Sequence, residues 1–193
     1  MIRKFLVEIV VAFFPKKDRA ELRHRLRHLH NILYVKRTAK SVGKNFRCGE
    51  KILISKKTSI GDNVSINGIF VQGSGNLIIE DYCRIGIELL ALTSSHNYEG
   101  NKIPYGDEEI QKDIKIGKGC WIGSRVTLLP GTELEEGVIV QAGAVVHGKI
   151  PAGSIVGGNP AKVFKQRDMD NYNKNKNNNS YYISPFFNNA GEN

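Results

Sequence analysis

The sequence has few of the residues that cross-link a chain or anchor it in a bilayer. It carries three cysteines in 193 residues, and none of them forms a CxxC pair. Scattered thiols of this kind are typical of buried, reduced cysteines and argue against a disulfide framework or a thiolate metal site. The apolar stretch at 5–14 is interrupted by Glu8 and is too short to span a bilayer. Because no cleavable signal peptide is apparent either, we predict a cytoplasmic protein.

The chain also lacks a basic stripe on its main body. Its net charge is +9, but residues 1–40 hold 11 Lys and Arg against 3 Asp and Glu, whereas the remainder holds 17 against 16. A nucleic-acid-binding body would need clustered cations interleaved with aromatic residues. We therefore expect no nucleic-acid partner, and we expect the positive charge to act through the N-terminal segment.

What the sequence does have is a six-residue period. An aliphatic or small residue recurs at every sixth position, a spacing that fits neither a helix nor an alternating strand. It is typical of a solenoid in which each hexad forms one short strand and one corner, and three hexads close one triangular coil. We predict successive coils at 116–133 and 134–151. The inward positions are Ile116, Ile122, Leu128, Leu134, Val140, Val146, Ala152 and Gly158.

The same register runs through 42–66 and, after a slip of one residue, through 79–91. The period bends at 67–78 and breaks entirely at 92–115. Insertions in repeat arrays leave the stack as loops on one face, where ligands often bind. The cysteines occupy inward positions, where we expect buried structural thiols: Cys48, Cys83 and Cys120.

The two ends of the chain differ from this body. We divide the chain into N-terminal basic amphipathic helices at 1–40, a repeat domain at 41–163 with an inserted loop at 97–113, and a largely disordered extension at 164–193. Asp18 with Glu21 predicts a capping box at the start of the second helix. Asn and Lys dominate from Asn171 onward, a composition typical of disorder. The apolar stripe of the second helix is Leu22, Leu26, Leu29 and Leu33.

Two interpretations of the N-terminal helices stay open. Solenoids need a cover on their first coil, so the helices could pack on the open end or on a neighbouring subunit. Alternatively, residues 1–35 form a basic amphipathic element that rests on an anionic membrane surface at the inner membrane face.

Among five histidines, His96 has the most informative position. It follows Thr93-Ser94-Ser95 at the point where the repeat breaks, whereas His147 lies in a regular corner and the other three lie on the basic helix. An imidazole at the lip of a groove suits general-base chemistry on an alcohol. A three-histidine zinc site lacks ligands, because only two histidines lie within the repeat, so we expect no metal.

Three motifs resemble the hexapeptide-repeat acyltransferases, above all the galactoside, maltose and colanic-acid type O-acetyltransferases. They are Gly-Cys-Trp-Ile-Gly-Ser at 119–124, Leu-Pro-Gly-Thr at 129–132 and Gly-Gly-Asn-Pro-Ala-Lys at 157–162. The resemblance covers about residues 42–167. It implies a left-handed parallel β-helix, an all-β solenoid, that assembles as a homotrimer with acetyl-CoA in the cleft between neighbouring coils.

The resemblance also implies roles for individual residues. His96 matches the catalytic base that takes the proton from a sugar hydroxyl, and the backbone N–H of Ser124 matches the donor to the oxyanion. No acyl-enzyme and no metal are implied. Basic side chains near the cofactor's phosphates would offset their charge. The positions that match acetyl-CoA contacts are Trp121, Ser124, Ala142, Lys162 and Lys165.

One departure from the family pattern leaves the acceptor open. Asn97-Tyr98-Glu99 follows the histidine, and the group that orients the imidazole could be Glu88, Asn97 or Glu99. The leading hypothesis is O-acetylation of a sugar during surface-polysaccharide assembly. The alternatives are a xenobiotic O-acetyltransferase that modifies an antibiotic, a nucleotide-sugar N-acyltransferase, and a non-catalytic scaffold.

Overall fold

The computed structural model describes residues 11–49 and 51–182, so the predicted first helix lies almost wholly outside the described residues. The chain forms a parallel β-solenoid of about six turns with a helix at each end, which confirms the predicted fold class. A 3₁₀ turn at Lys16–Asp18 leads into α1 (Arg19–Thr38), and α2 (Met169–Asn177) follows the last strand. The strands are β1 (Ser41–Val42), β2 (Arg47–Cys48), β3 (Ile52–Leu53), β4 (Thr58–Ile60), β5 (Ser65–Ile66), β6 (Ile69–Gln72), β7 (Leu77–Ile79), β8 (Arg84–Ile85), β9 (Leu89–Leu92), β10 (Ser94–His96), β11 (Glu109–Gln111), β12 (Ile114–Ile116), β13 (Trp121–Ile122), β14 (Thr127–Leu128), β15 (Glu133–Leu134), β16 (Ile139–Val140), β17 (Val145–Val146), β18 (Lys149–Ile150), β19 (Ser154–Gly158) and β20 (Ala161–Gln166).

Three parallel sheets form the sides of the solenoid. The first sheet has the strand order β1-β4-β7-β12-β15-β18, and the third sheet has the order β3-β6-β9-β14-β17. The second sheet runs β2-β5-β8-β13-β16-β19 and ends with β20, which pairs antiparallel with β19. The chain visits the first, second and third sheets in turn, so each round of three strands is one coil, as the six-residue period predicts.

The inward positions of successive coils stack into one apolar core. Ile79, Ile116 and Leu134 lie in register on neighbouring strands of the first sheet and are fully or almost fully buried. The three cysteines are buried and free, as predicted. Burial raises the pKa of the Cys48 thiol to about 12, and a hydrogen bond with Cys120 together with burial raises the pKa of Cys83. These thiols therefore pack as small apolar groups rather than act as nucleophiles.

The prediction that Ala152 and Gly158 continue the inward series is wrong. Leu134 pairs with Ile150, so the last coil is two residues shorter than the coil before it. Ala152 is half-buried and Gly158 is exposed. The corner between β17 and β18 holds only His147 and Gly148, whereas the corner between β14 and β15 holds four residues, and the φ of +70° at Gly148 is compatible with so tight a turn.

Helix α1 packs on the first coil, but by a different face from the leucine stripe. Val35 is fully buried, Ile32 packs partly against the core, and Asn31 Nδ2 donates to the Gly49 carbonyl at 2.6 Å. Leu29 and Leu33 are 53% and 45% exposed, on the opposite side of the helix. The helix therefore covers the first coil, as one interpretation expects, while part of the leucine stripe remains exposed.

The predicted capping box at the start of this helix is wrong. Asp18 ends the 3₁₀ turn with φ −96° and ψ −10°, and its side chain makes no capping hydrogen bond. The turn itself supplies the entry into the helix, so the carboxylate is not needed as a cap.

The prediction that the C-terminal extension is largely disordered is wrong as far as Tyr182, where the described residues end. β20 and α2 occupy most of the segment, and Asp168 caps α2 by accepting from the Asn171 N–H at 2.9 Å. Lys176 pairs with Glu136 at 2.7 Å, and the Tyr181 ring stacks on the solenoid's Tyr82 ring at 3.9 Å. Polar contacts and ring stacking therefore order a segment that lacks an apolar period.

Candidate active site

The break in the repeat is a β-hairpin that leaves the stack. β10 and β11 pair antiparallel, with Ser95 opposite Ile110 and His96 opposite Glu109, and the solenoid resumes at Ile114. The His96 side chain is exposed at the end of β10. The predicted candidate base therefore stands at the rim of the solenoid rather than among the aliphatic side chains of the core.

Tyr105 holds the imidazole from the loop of this hairpin. The rings of His96 and Tyr105 lie nearly parallel, with centroids 3.9 Å apart and 9° between their planes. Tyr105 was not predicted as a site residue, because nothing in the sequence distinguishes it from Tyr98, the other aromatic residue of the loop. Stacking of this kind restricts the rotation of a side chain that is otherwise free in solvent.

The three predicted orienting residues make other contacts. Glu88 pairs with Lys51 and Arg125, at 3.2 and 3.0 Å. Asn97 Nδ2 donates to Glu108 at 3.3 Å, and the Asn97 side-chain oxygen accepts from the Glu99 N–H at 3.1 Å. Within the described chain, the ring contact to His96 comes from Tyr105 instead.

Glu109 provides an anion next to the imidazole. It lies directly across the hairpin from His96, and residues opposite each other in an antiparallel pair project to the same face. The hydroxyls of Ser74 and Ser94 donate to its carboxylate. These hydrogen bonds hold the pKa of Glu109 below its usual range, with a smaller contribution from the charge of His96. The carboxylate therefore stays ionised through the neutral pH range.

A second feature lies at the edge where the chain passes from the second to the third sheet. The backbone N–H groups of Ser124 and Ala142, each two residues after a strand, donate to no group within the described residues. Other corners are of both kinds: the N–H groups of Gly68, Asp81 and Glu136 likewise donate to no described group, whereas five are capped by side chains of neighbouring coils. The capped ones are Lys44 by Asp62 at 2.7 Å, Asp62 by Asp81 at 2.7 Å, Lys118 by Glu80 at 3.0 Å, Ile87 by the Ser124 hydroxyl at 3.3 Å, and Ala152 by Glu135 at 2.9 Å.

The two free donors are stacked one above the other. A Cβ built on Gly123 would lie 2.5 Å from the Ala142 nitrogen, so glycine is required for these corners to touch. Neighbouring coils of a parallel sheet are about 4.8 Å apart. We call the Ser124 and Ala142 N–H groups the donor column. Such a pair can bind the carbonyl groups of an extended ligand much as a sheet edge binds an added strand.

The other predicted cofactor residues lie on the same side of the solenoid. Trp121 is 58% exposed and belongs to one lateral row with Ile139, Ile155 and Lys165 across β13, β16, β19 and β20. Three strand spacings separate the ends of this row, roughly 14 Å. Lys162 on β20 lies opposite Gly157 on β19. A Cβ built on Gly157 would lie 2.4 Å from the side chain of Gln141, the residue before Ala142 of the donor column. All five positions therefore line the second sheet and its edge with the third sheet.

Trp121 also contacts the C-terminal segment. It lines a cavity of about 240 Å³ together with Arg84 and Tyr182, and Arg84 donates to the Tyr182 carbonyl at 2.6 Å. The C-terminal segment thus forms one wall beside the indole ring.

His96 lies on a different edge of the same chain. It follows β9 in the third sheet, where the chain passes toward the first sheet, whereas the donor column precedes the third sheet. Within residues 11–49 and 51–182, no hydrogen bond, ion pair or ring contact joins His96 to Trp121, Ser124 or Ala142. One chain therefore carries two separate halves of the predicted site.

In the described part of the chain, no group of three His, Cys, Asp or Glu side chains is placed to hold a metal ion. Across the same residues, no helix combines the length and apolar character needed to cross a bilayer.

Comparison with known structures supports the fold. A maltose O-acetyltransferase from Clostridium difficile 630 superimposes with a TM-score of 0.63 at 23% identity, covering 84% of this chain and 83% of that one. A galactoside acetyltransferase in complex with coenzyme A gives a TM-score of 0.59 at 20% identity, covering 88% of this chain and 82% of that one. At these identities the likeness concerns the fold alone.

Sequence relatives show the family. The family model for bacterial transferase hexapeptide (six repeats) matches residues 113–148. A probable acetyltransferase of Mycobacterium tuberculosis is 30% identical over 69% of this chain, and a putative lipopolysaccharide biosynthesis O-acetyl transferase of Escherichia coli is 30% identical over 54%. The chain spans 41% and 58% of the lengths of these two relatives. A probable macrolide acetyltransferase of Lysinibacillus sphaericus is 30% identical over 56% of this chain and 69% of its own length. The chain belongs to the hexapeptide-repeat acetyltransferase family.

Proposed function

We propose that this protein transfers the acetyl group of acetyl-CoA to a hydroxyl group of a sugar, with His96 as the general base. The observation that carries the proposal is the donor column. Two stacked, unsatisfied N–H groups lie beside an exposed tryptophan, and the same side of the solenoid ends at Lys162 and Lys165.

The donor column fits the chemistry of coenzyme A. Its pantetheine arm is a chain of amides with carbonyl acceptors, which suit the Ser124 and Ala142 N–H groups. Its phosphates are anionic and suit the ammonium groups of Lys162 and Lys165, which are exposed on β20. The arm would run along the edge between the second and third sheets, with the indole of Trp121 beside it.

The complete site requires a second copy of the chain. Because His96 and the donor column occupy different edges of one solenoid, a ring of identical subunits can bring the His96 edge of one chain to the donor column of the next. We therefore propose a homotrimer with three equivalent sites between neighbouring subunits.

The chain's own groups then account for the transfer. The His96 imidazole accepts the proton of the acceptor hydroxyl while its oxygen attacks the thioester carbonyl carbon. The Ser124 N–H donates to the oxyanion that forms, a contribution of about 3 kcal/mol for a single donor of this type. The C–S bond then breaks, and the imidazolium returns its proton to the departing thiolate. Because the acetyl group passes directly to the acceptor oxygen, the buried cysteines need take no part.

A sugar of a surface polysaccharide is the acceptor class that we favour. The relative from Escherichia coli carries a name from lipopolysaccharide biosynthesis. The relative from Lysinibacillus sphaericus favours a second candidate, the hydroxyl of a macrolide antibiotic. Both acceptors use the same base and the same acetyl donor, so the difference lies in the groove beside the 97–108 loop.

Release of free thiol tests the proposal. Purified protein with acetyl-CoA and a thiol reagent is assayed against a panel of sugars and macrolides. We expect turnover with a sugar and a loss of about 100- to 10,000-fold in kcat for His96→Ala. His147→Ala is the matched control, because His147 is the other exposed histidine of the repeat. Equal turnover of the two variants would contradict the role of His96, and turnover with macrolides alone would select the second candidate.

A further inference from the structure

Helix α1 uses only one of its faces to cover the solenoid. His28, Asn31 and Val35 lie toward the first coil, and Val35 is fully buried there. At 100° per residue, Leu29 and Leu33 fall on the opposite face. They are 53% and 45% exposed, so two large apolar side chains remain in solvent at 29 and 33.

Cations flank these leucines. The same helical spacing places Lys36 on one side of them, together with Arg25, which is ion-paired with Glu21 at 2.5 Å, and places Arg37 on the other side. Helix α1 holds six Lys and Arg against a single acidic residue, Glu21. Long basic side chains beside an apolar stripe can extend toward anions while their methylene stems cover apolar surface.

The segment before the helix extends the same surface. Phe13 and Phe14 are 85% and 45% exposed. The Arg19 guanidinium donates to the Phe14 and Ala12 carbonyls, both at 2.9 Å, and so holds the backbone that carries the two aromatic residues beside the start of α1. We call Phe13, Phe14, Leu29 and Leu33, with their flanking Arg25, Lys36 and Arg37, the basic apolar surface.

Charge decides what this surface binds. In a symmetric contact between copies of the chain, each subunit would bring the same cations, and like charges would face each other. An anionic lipid surface instead attracts each exposed cation and accepts the apolar side chains between its headgroups. At 20 residues, α1 is about 30 Å long and can lie flat along such a surface.

We propose that the basic apolar surface binds the face of an anionic phospholipid bilayer, with α1 parallel to the membrane plane. The inference rests on α1 and the segment before it, and it is independent of the acetyl-transfer chemistry. If both proposals hold, transfer takes place at the membrane surface, where lipid-linked sugars are available.

Flotation with vesicles tests this inference on the full chain. Vesicles of phosphatidylcholine with about 30% phosphatidylglycerol provide the anionic surface, and pure phosphatidylcholine vesicles provide the neutral one. We expect the protein to float with the anionic vesicles only, and raised salt to release it. Leu29→Gln with Leu33→Gln should weaken binding by at least about tenfold, because two apolar side chains leave the interface. Lys36→Gln with Arg37→Gln should also weaken it, by about fivefold for each charge.

The matched control replaces two exposed apolar side chains that lie outside α1. Leu53 and Phe70 are each 45% exposed on the third sheet, so Leu53→Gln with Phe70→Gln removes similar apolar area without touching α1. The control pair should float as well as the unaltered protein. Absence of flotation with anionic vesicles would overturn the proposal. A leucine pair that floats normally but elutes as a smaller oligomer would overturn it as well, because the stripe would then be a contact between copies.

Discussion

Gly86 lies directly against the backbone of Ser124: a Cβ built on Gly86 would lie 2.7 Å from the Ser124 nitrogen. That nitrogen carries the N–H that we assign to the oxyanion. The close approach therefore couples a corner glycine in one coil to the catalytic geometry of the next coil.

Gly86→Ala should displace the Ser124 N–H and lower kcat by at least about tenfold, since loss of a whole oxyanion donor typically costs 100-fold or more. The comparison is Gly61→Ala, where the new Cβ would lie 2.8 Å from the Asp81 nitrogen at an edge away from the donor column. Thermal denaturation should show a lower Tm for both variants, and steady-state assays should show reduced kcat for Gly86→Ala alone. Equal kcat losses would mean that general destabilisation, rather than the donor, causes the effect.

Tyr105→Leu should lower kcat/KM by up to about tenfold, because an aromatic pair of this geometry contributes about 0.5–1.5 kcal/mol to holding the imidazole. Tyr105→Phe keeps the ring and should retain activity. Tyr98, 75% exposed in the same loop, supplies the control variant Tyr98→Leu, for which we expect little change. A Tyr98 effect as large as the Tyr105 effect would contradict a specific role for the stacked pair.

Replacement of Glu109 should change how the thermal stability of the protein depends on pH. The hydrogen bonds from Ser74 and Ser94 keep the pKa of Glu109 below its usual range, so the carboxylate stays charged as the pH falls and loses its charge only below that range. A lowered pKa in the folded state contributes stability that is present at neutral pH and lost as the pH falls, so Glu109→Gln should lower Tm at neutral pH and this difference should shrink in acid. The site is exposed to solvent, so we expect only a small shift in Tm. Glu108→Gln is the control, and an equal shift in both variants would exclude a specific effect of Glu109.

The two lysines on β20 should matter only for a donor that carries phosphates. Lys162→Gln with Lys165→Gln should raise KM for acetyl-CoA about fivefold to tenfold, as expected for the loss of exposed charged contacts. KM for acetyl-pantetheine, which lacks the phosphates, should not change. Lys40→Gln with Lys56→Gln, at two exposed lysines away from this side, controls for the loss of two charges. A rise in KM for both donors would place the lysines at another part of the site.

The six-residue period was sufficient to predict the three-sided solenoid and its buried cysteines, because the same positions of every coil direct their side chains into the core. The period of six failed at Ala152 and Gly158, because the corner at 147–148 is two residues shorter than the preceding one. The apolar pattern of the sequence does not indicate this shortening. The helical spacing likewise identified α1. It did not show that Val35 rather than the leucine stripe meets the solenoid, because large apolar residues lie on both faces of that helix.

The residues of the candidate site could be proposed from the sequence, whereas their arrangement in space could not. His96 was singled out by its place at the break, and the structure confirms that it is exposed there. Tyr105 lies nine residues further on, in a loop without periodicity, so only folding of the hairpin brings the two rings together. The donor column depends on missing caps at Ser124 and Ala142, which involve backbone atoms that carry no signature in the side-chain sequence.

Subunit mixing tests the central claim, that His96 of one chain acts on acetyl-CoA held by the donor column of another. Ala142→Pro removes a column N–H that makes no hydrogen bond within the described residues, and His96→Ala removes the base. Both variants should be inactive alone while keeping the Tm and size of the unaltered protein. Co-refolded in equal amounts, they should regain about a quarter of the original activity, because one neighbouring pair in four then combines an intact base with an intact column. Mixed oligomers no more active than the two separate variants would contradict the account.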